Sequence, residues 1–139
     1  MADDHEGIRD EDALLRRVRS QPAMVRQTGD RLRPSSAAFK PSTDGGGVSV
    51  DVRRLLPDRT DPTSVLAERP SDGLAEVRAA TVRGCGLDVL HDPTEGNVAH
   101  ANIVGLVRLS KSLQKRARRT LAEACVWVRE PSGGEALGG

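Results

Sequence analysis

The hydrophobic pattern of Leu106–Val128 constrains this chain more than any other stretch. At about 100° per residue, Leu106, Leu109, Leu113, Ala117, Leu121, Ala124 and Val128 share one arc of a helical wheel. Arg108, Lys111, Lys115, Arg116, Arg118 and Arg119 take most of the remainder, and no Asp or Glu falls between Glu95 and Glu123. An amphipathic helix buries one side and offers the other to solvent. Here the offered side is a field of cations, so these six residues are the candidate binding residues for a nucleic acid or an acidic protein partner. The competing reading is that the charges only solvate the helix.

The rest of the chain narrows what such a face can do. At 139 residues there is room for one domain. With no Tyr, one Phe (Phe39) and one Trp (Trp127), the core must be built from Leu, Val and Ala. That excludes a platform of aromatic rings on which bases stack. The formal net charge is +1, so any affinity for polyanions has to come from a local patch. Cys85 and Cys125 form no Cys-x-x-Cys pair, and no apolar run approaches the length of a membrane span. The first twelve residues are acidic, unlike the basic-then-apolar start of a signal peptide. These features point to a reduced, cytoplasmic protein that does not engage membranes.

Patterning predicts an α+β fold: a small, mostly antiparallel sheet covered by one C-terminal amphipathic helix. Residues 1–12 read as a disordered acidic arm, 13–129 as the folded domain, and 130–139 as a flexible glycine-rich tail. Leu14, Leu15 and Val18 start a strand, and Gly29-Asp30 marks a turn. Val48-Ser49-Val50-Asp51-Val52 alternates with period two, as a half-buried strand does. Asp61 and Pro62 open a short helix, and Leu74–Ala79 and Val98–Gly105 read as further strands. Ser110 is a plausible cap if the last helix starts late.

Three places hold residues with chemistry. His91 and His100 lie near predicted strand ends, joined by a loop containing Pro93 and Gly96. A loop held at both ends can bring two imidazoles to one sheet edge, where they act as acid and base on an ester or phosphodiester. Asp92 would orient either ring. The plainer reading makes His-Asp-Pro a turn and His100 an ordinary strand residue. Second, Ser35 and Ser36, with Arg31 and Arg33 nearby, have the makings of an anion pocket. Third, Gly45-Gly46-Gly47 lacks the Lys-Ser/Thr of a phosphate loop and reads as a hairpin loop. No spacing matches a metal site, and no cofactor is implied.

Two segments, Pro34-Ser35-Ser36-Ala37-Ala38-Phe39 and His91-Asp92-Pro93 to Ala99-His100, resemble those shared by a group of small bacterial proteins with no established activity. The resemblance implies a folded domain and no particular function. Two functions follow from the residues themselves. One is a binding or accessory module working through the basic helix face. The other is a small hydrolase or transferase acting on a nucleotide or RNA through His91 and His100.

Overall fold

A computed structural model describes residues 7–42, 47–57 and 61–131. The glycine loop at 43–46, the first half of the acidic arm and the tail from 132 onward lie outside the described residues. Eight strands and two helices follow in order: β1 (Ala13–Val18), β2 (Val25–Thr28), β3 (Arg31–Pro34), β4 (Val48–Val52), β5 (Gly73–Arg78), α1 (Ala79–Gly84), β6 (Asp88–His91), β7 (His100–Val104), α2 (Lys111–Ala124) and β8 (Val126–Arg129). Short 3-10 turns fill several connections. Six strands form one sheet in the order β6-β7-β4-β1-β5-β8, and β2 and β3 form a separate ribbon. Every pairing is antiparallel.

Alternation along the strands explains the layering. On one face lie Leu14, Val18, Val48, Val50, Val52, Val77, Val89 and Ile103, all buried. Phe39, Val82, Leu106 and Leu121 belong to the same buried cluster. The opposite face is mixed. Toward β5, Leu15 and Leu74 are fully buried, the turn Pro62–Leu66 packs beside the strand, and Arg53 pairs with Glu76 at 2.6 Å. Toward β4 and β7 the same face carries Ser49, Asp51, His100 and Asn102, with Ser49 opposite Asn102 and Asp51 opposite His100.

The segment expected as one helix is in fact three elements. Leu106–Arg108 is a 3-10 turn, Leu109 is extended, and α2 begins at Lys111 with the Ser110 hydroxyl accepting the Leu113 N–H at 3.3 Å. The helix stops at Ala124, and Val126–Arg129 pairs with β5 instead. Val126, Trp127 and Val128 favour an extended chain, and the open edge of β5 supplies the hydrogen bonds. The helix is therefore not the last element. Its stripe is also rotated from the expected arc: Ala117, Leu121 and Ala122 are buried, whereas Leu113 is 48% exposed and Ala124 is exposed. It packs chiefly on the turn Ser36–Phe39, with further contacts to β3 and α1.

The second half of the expected arm is not free. Ile8 joins the core, and Asp12 is buried, with its carboxylate gripping Arg54 through two oxygens at 2.8 and 3.0 Å. Arg83 ties Asp10 and the Ile8 carbonyl at 2.6 and 2.7 Å. The partners come from far along the chain, which is why an acid-rich start reads locally as unstructured.

Candidate anion-binding cleft

The β2-β3 ribbon is a hairpin whose turn is Gly29-Asp30. Gly29 has φ +63 at the first central position, a place that type II′ turns reserve for glycine. Its register sets Val25 opposite Pro34 and Gln27 opposite Leu32 on one face, and Arg26 opposite Arg33 and Thr28 opposite Arg31 on the other. The first face is the inner one, since Val25 and Pro34 are buried. Trp127, on β8 and not on the helix, donates its indole N–H to the Leu32 carbonyl at 2.8 Å and pins the ribbon to the sheet edge.

The outer face therefore carries three arginines, two of them directly cross-strand. Like charges in that position destabilise a ribbon unless something else uses them. Arg33 reaches the helix and donates to the Glu123 carbonyl. Between ribbon and helix lies a cavity of about 440 Å³ lined by Arg26, Arg33, Arg119, Ser35, Ser36 and Thr28, and by one acid, Glu123. Ser35 begins the turn that supports α2: its hydroxyl donates to the Ala23 carbonyl at 2.7 Å and accepts the Ala37 N–H at 3.2 Å. Ser35, Ser36 and Arg33 thus meet as the residue types suggested. Arg31 lies on the same ribbon face but does not line the cavity. Arg26 and Arg119 were not associated by sequence, because only tertiary packing brings hairpin and helix together.

The six helix-region cations divide. Lys111, Lys115, Arg116 and Arg119 are exposed on α2 and make no ion pair among the described residues. Arg108 is exposed but lies in the 3-10 turn, off the helix. Arg118 is half-buried, and its Nε is enclosed without a hydrogen-bond partner. It faces inward, because the buried stripe runs through Ala117, Leu121 and Ala122 and not through Leu113.

The two histidines are not brought together on one face. His91 sits opposite Ala101 and His100 opposite Asp51, which places them on opposite sides of the sheet. Each ring staples the intervening loop: His91 Nε2 lies 2.8 Å from the Val98 carbonyl, and His100 Nδ1 lies 2.8 Å from the Asp92 carbonyl. A carbonyl only accepts, so those nitrogens carry the protons, leaving Nε2 of a neutral His100 with a lone pair. The Asp92 carboxylate accepts from Asn102 at 2.9 Å and stands 3.6 Å from His100 Nδ1. Asp51, hidden in a strand of alternating valines, is 2% exposed and accepts from Asn97 at 2.9 Å and Arg17 at 3.3 Å. Among the described residues no group of three or more His, Cys, Asp or Glu is placed to hold a metal, and no helix is long and apolar enough to cross a membrane.

Comparisons with protein-family models, with curated proteins and with solved structures found no match to this chain.

Proposed function

We propose that this protein is a non-enzymatic module that grips the phosphodiester backbone of a nucleic acid between its arginine-faced hairpin and the basic side of α2. One observation carries the reading: Arg26 and Arg33 stand opposite each other with Arg119 lining the same cleft. Guanidinium groups match phosphate oxygens with two parallel hydrogen bonds, and the hydroxyls of Thr28 and Ser36 extend the donor set. Lys111, Lys115 and Arg116 continue the positive field along the exposed helix. The lone half-buried Trp127 is spent on the Leu32 carbonyl, so recognition is of the backbone and not of bases. A His91–His100 enzyme would need both rings at one centre, and the sheet register separates them.

The test is fluorescence anisotropy with a labelled duplex across a salt series. Three cleft arginines plus one helix lysine give about four phosphate contacts, hence a slope of log affinity against log salt near −3.6. Arg26→Glu with Arg119→Glu should flatten the slope by about 2 while leaving the thermal transition in place. No binding of duplex, or unchanged binding by the double variant, overturns the reading. Tighter binding of an acidic peptide than of duplex would also overturn it and move the site to a protein partner.

A further inference from the structure

β1 pairs with β5 over six residues but with β4 over only two, Leu14 with Val52 and Leu15 with Asp51. Beyond that point the strands part, and Arg16 fills the gap, donating from Nε to the Ala38 carbonyl at 2.7 Å and from Nη1 to the Ser49 carbonyl at 2.8 Å. No carboxylate neutralises it among the described residues. The fork opens into a cavity of about 380 Å³ that also receives Arg17, Arg19, Arg69, Asp51, Asp72 and His100.

The charge here is unbalanced. Four arginines face two aspartates, and one of those, Asp72, is tied to the Ser20 N–H at 3.1 Å. Arg19 and Arg69 make no ion pair among the described residues, and Asp51 is shared between Arg17 and Asn97. Burial, with Arg17 and Arg19 alongside, pulls the Arg16 guanidinium down to about 10. Crowding like charges around a half-buried cation raises its energy, and two negative charges would relieve it. Leu15, Met24 and Val50 give the cavity an apolar part, and its size lies at the small end for ligand sites.

We propose that this fork binds a dianionic phosphate, either free or as the monoester end of a small molecule. Arg19 and Arg69 would clamp the oxygens, and the Arg17–Asp51 pair would hold the arginine array in place. None of these residues lines the hairpin cleft, so the two sites stand or fall separately.

Calorimetric titration of the full chain with inorganic phosphate, adenosine monophosphate and adenosine tests it. Saturable binding by phosphate alone assigns the free ion, binding by the monophosphate as well assigns the ester, and adenosine should not bind. Arg19→Ala with Arg69→Ala should weaken the phosphate-bearing probe by about a hundredfold, tenfold for each charged hydrogen-bonding partner removed. Arg26→Glu with Arg119→Glu should leave that affinity unchanged. Failure of phosphate and the monophosphate to bind overturns the proposal, as does equal binding by the Arg19/Arg69 variant. Neither side chain has an ion-pair partner to lose among the described residues, and the thermal transition of the double variant checks that it remains folded.

Discussion

Replacing Arg54 by alanine would remove the side chain that donates two hydrogen bonds to the Asp12 carboxylate. Arg54 donates from Nε and Nη2 to the two Asp12 oxygens, and Nη2 also reaches the Gly7 carbonyl at 3.1 Å. Asp12 is 4% exposed and is fixed further by the Arg9 N–H at 2.8 Å, while its own carbonyl accepts the Ala79 N–H at 3.0 Å. Breaking a fully buried ion pair from one side costs about 3–5 kcal/mol. Arg54 keeps 22% of its side chain in solvent, so water enters where it leaves, and about 2 kcal/mol is the better figure. For a chain of this length that is a fall of about 7 °C in melting temperature at neutral pH.

The pH dependence separates this electrostatic loss from mere loss of packing. Burial pushes the Asp12 carboxyl up, but the Arg54 hydrogen bonds, the Arg9 N–H and both arginine charges outweigh it, leaving it below its ordinary range. A carboxyl lowered on folding stabilises the native state above its unfolded value, and that stability is lost as pH falls through the folded value. In the wild type the Asp12 contribution therefore fades from about pH 3.9 downward. Without Arg54 the lowering causes shrink while burial remains. The stability gap between wild type and Arg54→Ala, measured by urea denaturation over a pH series, should narrow in acid. A gap equally wide at about pH 3 and pH 7 would refute the reasoning.

Two further outcomes follow from packing. A methyl group at Gly73 would lie 2.6 Å from Pro131 Cδ, 2.8 Å from Pro131 N and 2.9 Å from Trp127 Cζ3. Gly73→Ala should destabilise the chain by about 1–3 kcal/mol and shift tryptophan emission as β8 is displaced from β5; an unchanged melting curve would contradict the close approach. Burial pushes the Cys125 thiol up to about 12 and raises half-buried Cys85 less far. Iodoacetamide followed by peptide mapping should modify Cys85 first and Cys125 only on unfolding, and the reverse order would show that α2 does not seat as described.

Much of the secondary structure was legible because its causes are local. The Val48–Val52 alternation, Gly29 at the hairpin turn and Asp61 capping the Thr63 N–H at 3.2 Å each act within a few residues, and each element appears where its pattern lies. The helix was legible as a helix but not in its phase. Periodicity alone favoured a stripe through Leu113 and Ala124, whereas Ser110 capping and the seat on Ser36–Phe39 chose Ala117, Leu121 and Ala122. That rotation turns Arg118 inward, and the strand after the helix exists because β5 has an edge to fill.

The candidate sites were less legible for the same reason. Residue type named His91, His100, Asp92 and the serines beside Arg33, but type says nothing about face. Register in the sheet parts the two histidines and sets Asp51 against His100, while hairpin register stacks Arg26 on Arg33 and helix docking adds Arg119. Local chemistry decides what a segment prefers to be, through backbone sterics and the period of its apolar residues. Which charges end up as neighbours depends on pairings between strands tens of residues apart, and a one-residue slip would reverse every one of them.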